Sequence, residues 1–169
     1  DVALLQYTGG TTGVSKGAVL LHRNVIANVL QSEAWNEPVM KKVPANEQLT
    51  SICALPLYHI FAFTVNMMLS MRSGGKTILI PNPRDLAAVL KELSKHRFHS
   101  FPAVNTLFNG LVNHPDFNTV DWSHLKASVG GGMAVQGAVA KLWLEKTGCP
   151  ICEGYGLSET SPIVSCNPL

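Results

Sequence analysis

Charge is scarce in this sequence. Lys, Arg, Asp and Glu make up 14% of the 169 residues against 46% hydrophobic ones, and the net charge is +2. So small an imbalance gives no electrostatic case for nucleic acid or for an anionic membrane as partner. Long apolar runs are missing too: none reaches the roughly 20 residues that cross a bilayer. The first residues do not read as a signal peptide, and the chain starts at Asp1 rather than at methionine. Asp1 leads straight into an apolar strand and Leu169 follows Cys166-Asn167-Pro168, so both ends are expected to be cuts in a longer protein. Cysteine is limited to Cys53, Cys149, Cys152 and Cys166. The single C-x-x-C, Cys149 to Cys152, has no second pair at zinc spacing, and Pro150-Ile151 leads into a strand rather than onto a helix N-terminus. These read as buried or incidental thiols in a chain long enough to build one core without disulfides.

What the sequence does have is alternation. Short apolar runs at 2–5, 18–21, 49–55, 76–80, 98–101, 125–129 and 151–153 are separated by helical spacing at 23–35, 61–72, 82–96, 104–112 and 135–146. This predicts an α/β fold of strand–helix units with a mostly parallel sheet, whose functional loops sit at the carboxyl ends of the strands. Asn82 is expected as an N-cap with Pro83 behind it, Gly148 as a C-cap, and the polar stretch 37–46, with Pro38 and Pro44, as an exposed loop.

The densest chemistry is at residues 7–17, YTGGTTGVSKG. Glycines let a backbone turn its N–H groups inward, and a row of such groups is a nest for anionic oxygen. Thr8, Thr11 and Thr12 add hydroxyl donors and Lys16 a full positive charge, so a polyphosphate is the ligand this loop fits. It is not a P-loop: Ser15 precedes the lysine and Gly17 follows it, so the hydroxyl that would hold magnesium beside the lysine is missing.

A second stretch, GYGLSET at residues 154–160, sets Gly154 and Gly156 around an aromatic ring and a hydroxyl beside a carboxylate. Tyr155 can offer a flat face to a base, Ser158 can donate to a phosphate oxygen, and Glu159 can bind Mg²⁺. Thr160 stands where a hydrolase elbow would need glycine. The Gly130-Gly131-Gly132 run after a strand permits close backbone approach, and on its residues alone is either a ligand wall or a plain turn. His59, in PLYHIFAF, reads on its residues alone as a structural histidine beside apolar neighbours. His22, His96, His99, His114 and His124 show no metal spacing.

Taken together, QYTGGTTGVSKGA, ALPLYHIFAFTVN, SVGGGMAVQ and EGYGLSETSP resemble the adenylate-forming enzymes, and among them look most like bacterial long-chain fatty acyl-CoA ligases. The resemblance covers nearly the whole chain and implies that residues 1–169 are part of the AMP-binding (adenylation) domain. The reaction it implies has two halves: a carboxylate attacks ATP to give an acyl-adenylate and pyrophosphate, and coenzyme A then displaces AMP. It implies roles in the chemistry for Thr8, Lys16, His59 and Glu159, with Glu159 holding Mg²⁺. It implies nucleotide binding by Thr8, Gly9, Gly10, Thr11, Thr12, Gly13, Lys16, Gly131, Gly132, Gly154, Tyr155, Gly156 and Ser158. The family's usual hydroxyl before the glutamate is threonine; Ser158 keeps the donor. Phe63, one turn beyond His59, is expected to line an acyl channel. Small-molecule substrates (ATP, a fatty acid and CoA) are implied, in a cytoplasmic enzyme compatible with peripheral contact at the inner membrane.

The family's later elements, a ribose-binding Asp in a Thr-Gly-Asp string, a hinge and a C-terminal lid domain with its lysine, are not found in these 169 residues. The chain alone is therefore expected not to complete the reaction, and to self-associate through apolar surface that a larger protein would cover. Two other readings remain: a non-catalytic nucleotide-binding module, and an adenylation domain for an amino or aryl acid.

Overall fold

The structure is a computed structural model and describes residues 1–8 and 15–168. It opens with a hairpin. Strands β1 (Val2–Thr8) and β2 (Lys16–Leu21) pair antiparallel, with Leu5 opposite Val19 and Thr8 opposite Lys16. The sequence places the phosphate loop directly between these two apolar runs and leaves their pairing open. The shortness of the connection, residues 9–15, sets the direction, because a parallel crossover needs a dozen residues or more and an antiparallel return needs few.

Helix α1 (His22–Met40) follows and outruns its expected end, carrying Pro38 inside its last turn. A proline there forfeits only the bond its N–H would make one turn back, and Lys41 still donates to the Glu37 carbonyl. The main sheet is then assembled from β3 (Thr50–Cys53), β4 (Lys76–Leu79), β5 (Ser100–Ala103), β6 (Ala127–Gly130), β7 (Ile151–Gly156) and β8 (Ile163–Cys166), in the order β4-β3-β5-β6-β7-β8. It is parallel from β4 to β7, and β8 returns antiparallel along β7.

The expected helix over 61–72 is interrupted. A short helix α2 (Ile60–Ala62) passes into a π turn (Phe63–Met68) and then into α3 (Leu69–Ser73), which ends on Gly74 at φ 65°. The π turn holds two fully buried polar side chains. Asn66 Nδ2 donates to the Ile52 carbonyl at 2.9 Å, and its own carbonyl accepts from Thr77 Oγ1 at 3.2 Å. Those bonds fix the helix to β3 and β4 and take up a polar group that regular α geometry would use internally.

Helices α4 (Leu86–Leu93), α5 (Asn105–Val112) and α6 (Gly137–Thr147) close the principal core. The cap of α4 is Asp85, which accepts from Ala88 N at 3.0 Å, rather than Asn82, which accepts from Arg84 N in a local turn. Phe101, Phe108 and Phe117 surround Trp143 in this core, with Phe108 edge-on to Trp143 at 4.8 Å. Trp143 Nε1 donates to Ser128 Oγ at 3.0 Å, so the buried indole is satisfied. A smaller cluster of Leu20, Val25 and Ile60 seats the hairpin against α1 and α2. Among the described residues no helix is long and apolar enough to cross a membrane.

Candidate functional site

Beyond the carboxyl ends of β6 and β7 lies a cavity of about 320 Å³, near the lower end of the usual range for small-molecule sites. Its wall combines pieces distant in sequence: Thr8 from the hairpin; His59, Ile60 and Phe61 from the start of α2; Gly131 and Gly132 after β6; and Gly154, Tyr155, Gly156, Ser158 and Glu159 from β7 and the turn after it. Most of the sequence-derived candidates thus share one wall. Lys16 is exposed and stands opposite Thr8 at the hairpin mouth, outside that wall. Gly9, Gly10, Thr11, Thr12 and Gly13 lie outside the described residues.

Each piece is held by bonds the motifs did not advertise. Gln6 Nε2 donates to the Tyr58 carbonyl at 3.1 Å, tying β1 to the residue before His59. The His59 ring caps α2, its Nδ1 accepting from Phe61 N at 3.2 Å. That bond places the proton of the neutral ring on Nε2, which makes Nε2 a donor. The glycine turn is braced on two sides: Val135 N donates to Glu153 Oε2 at 3.1 Å and Gln136 N to Asn105 Oδ1 at 2.9 Å. These are two N–H groups at the start of α6 that have no partner within the helix. Asn105 is buried, and nothing in the sequence around it marked it.

The glycines divide by purpose. Gly132 has φ 79°, the left-handed turn that favours glycine. At Gly131 a Cβ would come within 2.9 Å of the Phe61 ring, so the missing side chain is where that ring sits. At Gly156 a Cβ would collide with the Pro162 carbonyl, whereas at Gly154 it would meet nothing nearer than 3.8 Å. Gly156 is thus demanded by the close return of β8. The 3-10 turn Ser158–Thr160 is closed by Thr160, whose Oγ1 accepts from Leu157 N at 3.0 Å. Glu159 and Tyr155 are exposed on its cavity side, Tyr155 at 60%.

A second cavity of about 380 Å³ adjoins the first and shares Val129, Ile163 and Cys166 with it. Val65, Asn28 and Trp35 form part of its far wall. Phe63, expected in an acyl channel, lines neither cavity; it packs with Leu20, Val25 and Ile60, and Phe61 takes the place facing the site. Phe63 N donates to the His59 carbonyl at 3.0 Å, so Phe63 stands one regular helical turn beyond His59, and its ring faces the hairpin cluster rather than the cavities.

One other cluster is disfavoured as a metal site by its bonding. Glu47, His99 and His124 bring three donor atoms within 4.8 Å of one another. Yet His99 Nδ1 accepts from Thr50 N at 3.1 Å and Nε2 meets Glu47 Oε2 at 3.1 Å, so the proton sits on Nε2. A metal on Nε2 would force that proton to Nδ1, against the Thr50 N–H. The cluster is a strut between β5 and the 41–49 loop. The cysteines are all free thiols; burial pushes Cys152 up to about 11, with Cys166 and Cys149 nearby adding to the shift.

The pattern of the AMP-binding enzyme family matches residues 1–169. The chain is 53% identical over its whole length to a long-chain-fatty-acid–CoA ligase of Haemophilus influenzae and 37% identical over 99% of its length to one of Bacillus subtilis. Among solved structures it is similar to ATP-bound MatB of Rhodopseudomonas palustris, with TM-score 0.81 and 29% identity, covering 99% of this chain and 31% of that one. It is also similar to the anthranilate CoA ligase AuaEII in complex with anthranoyl-AMP, with TM-score 0.84 and 25% identity over 99% of this chain and 32% of that one. The chain spans 30% of the Haemophilus relative and 29% of the Bacillus one. The shared cavity wall, the glycine turns and the fold thus have one source: the chain belongs to the AMP-binding enzyme family.

Proposed function

We propose that this chain carries the nucleotide-binding part of an enzyme that activates a long-chain fatty acid, first as its adenylate and then as its CoA thioester. The observation that carries the reading is the cavity in which Thr8 meets His59, Gly131 and the Tyr155–Glu159 turn. The curated relatives named as long-chain-fatty-acid–CoA ligases support the choice of acid.

In this reading the triphosphate enters at the hairpin mouth. Thr8 serves there as hydroxyl donor and Lys16 as cation, and the adenine lies against Tyr155 and the Gly131-Gly132 wall. A carboxylate oxygen attacks the α-phosphorus, the bond to pyrophosphate breaks in line, and two anions must be brought together for that to happen. Fixed donors aimed at the developing charge do most of this work. Ser158 donates to the α-phosphate. His59, with its proton on Nε2, donates to the carboxylate and does not act as a nucleophile. The donor set suits Mg²⁺: one exposed carboxylate, Glu159, at a cavity that admits phosphates is what this ion takes, with waters completing its shell. Bound there it would neutralise phosphate charge.

The second cavity, mostly apolar and walled in common with the first by Val129, Ile163 and Cys166, is where the acyl chain runs. Coenzyme A is the second substrate. Catalysis is assigned to a cytoplasmic enzyme, with contact at the inner membrane surface where its fatty acid partitions. The 169-residue chain by itself is expected to self-associate through its exposed hairpin residues Val2, Leu5, Tyr7 and Val19. The test is hydroxamate trapping: an enzyme containing this segment should form acyl-hydroxamate from ATP and long-chain acids in preference to short or aryl acids. Activity with aryl or amino acids alone would overturn the choice of substrate, and ATP binding without adenylate formation would favour a non-catalytic module.

A further inference from the structure

The Ser158–Thr160 turn carries the two side chains assigned to the α-phosphate and to magnesium, yet it is a single 3-10 turn with Glu159 exposed, Ser158 half-buried and Thr160 Oγ1 bonded back to Leu157. Those local bonds close the turn but do not fix it against the rest of the fold. Its position is set by the residues on its C-terminal side. Ser161 sits at φ 73°, a left-handed conformation in a residue with a side chain, and is 1% exposed. Such a strained, buried backbone persists only where its surroundings over-determine it.

Those surroundings are two helices on the far side of the chain. From the π turn, Thr64 Oγ1 donates to the Ser161 carbonyl at 3.4 Å. From α1, the Asn28 carboxamide makes two bonds to one residue: Nδ2 donates to the Ile163 carbonyl at 2.8 Å, and Ile163 N donates to Asn28 Oδ1 at 3.2 Å. This is the pair of bonds that a neighbouring strand would make. β8 is the last strand of its sheet, so Ile163 would otherwise turn an unsatisfied N–H and C=O toward α1. Seven residues along α1, Trp35 Nε1 donates to the Asn167 carbonyl at 3.2 Å and holds the other end of the same strand. α1 therefore serves β8 as a side-chain substitute for a seventh strand. Asn28 is 5% exposed and its donor and acceptor are both used.

We propose that Asn28 is a positioning residue for the nucleotide turn. It does not touch the nucleotide; by fixing Ile163 it fixes Pro162 and Ser161, and through them the direction in which Ser158 and Glu159 face the cavity. The consequence for nucleotide affinity rests on the proposed function, whereas the clamp on the turn is independent of it.

The experiment compares the 169-residue wild type with Asn28→Leu, which keeps the branched shape and removes both bonds, and with Asn28→Asp, which keeps only the acceptor. Ser32→Ala is the control, since Ser32 Oγ bonds only the Asn28 main-chain carbonyl, one turn along the same buried face of α1. Two readouts are taken, amide hydrogen exchange and MgATP affinity. In Asn28→Leu, amides of residues 158–163 should exchange at least about tenfold faster while those of β3, β5 and β6 keep their protection, and affinity should fall about tenfold. Asn28→Asp should lie between, and Ser32→Ala should match wild type in both. Unchanged exchange at 158–163 in Asn28→Leu overturns the proposal. So does an even rise across the whole chain, which would mean a general loss of stability. Should Asn28→Leu fail to fold, Asn28→Asp is read by the same criteria. Should the wild type bind no MgATP, the functional reading falls and the exchange pattern alone still decides the clamp.

Discussion

Thr8 and Lys16 are the final pair of the β1–β2 hairpin, so the glycine- and threonine-rich connection between them begins and ends at one place, and that place is the rim of the cavity containing Tyr155 and Glu159. Replacing Lys16 by alanine should therefore weaken MgATP binding by about tenfold to a hundredfold, the worth of a charge-assisted bond to phosphate. Because Lys16 is exposed, thermal unfolding should shift little. Titration calorimetry and a melting curve on the same samples check both halves.

Gly154 and Gly156 look equivalent in the string GYGLSET but should behave differently. Gly154→Ala adds a methyl group with ordinary contacts at 3.8 Å and should cost under about 1 kcal/mol. Gly156→Ala drives a methyl group into the Pro162 carbonyl, which is backbone and cannot swing away. A loss above about 3 kcal/mol is expected there, as for severe overpacking. Urea unfolding of the two variants measures the difference.

Gly131→Ala meets a side chain instead. The Phe61 ring, whose atoms would lie 2.9 Å from the new methyl, has to move, at a cost of about 1–3 kcal/mol. Phe61→Leu in the same chain should recover part of that loss, which a double-mutant cycle would show as coupling.

In an enzyme containing this segment, His59→Ala should lower kcat by about 10²–10³, as removal of one transition-state donor does, with little change in ATP affinity. His59→Gln should recover a fraction of the activity, since an amide can still donate. Steady-state kinetics with separate kcat and KM values test this.

The thiols make a prediction about pH. Burial raises Cys53, Cys149, Cys152 and Cys166, with Cys152 moved from 9.0 to about 11. A thiol raised in the folded state keeps its proton while the unfolded chain loses it, so the thiols' contribution to folding stability should be constant below pH 9 and be lost between pH 9 and about 11. Cys152→Ala should remove part of that slope. Alkylation by iodoacetamide at pH 8 should be slow in the folded chain and fast after unfolding.

Much of this was legible in the residues, and the failures have physical causes. Apolar alternation found the parallel sheet, because buried parallel strands leave continuous hydrophobic runs. It could not see that β1 and β2 pair with each other, because direction depends on the length of the connection. The helix after His59 was legible as helix but not its π turn, whose causes are the bonds from Asn66 to β3 and from Thr77, far away in sequence. Most residues of the cavity wall announced themselves by type: glycine, threonine, tyrosine and glutamate in short strings. The residues that brace it, Asn28, Asn105, Glu153 and Thr160, are ordinary polar residues locally and acquire their roles only when the fold brings their partners near. The close return of Pro162, which leaves no room for a side chain at Gly156, was likewise not visible in the string GYGLSET.

The claim beneath all of this is that the hairpin mouth and the Tyr155–Glu159 turn hold one nucleotide together. Amide hydrogen exchange of the wild-type chain with and without MgATP tests it most directly. Protection should rise together, and over the same range of nucleotide concentration, in peptides covering residues 8–16 and 154–160. Protection of one of these segments without the other, at saturating MgATP, would contradict it.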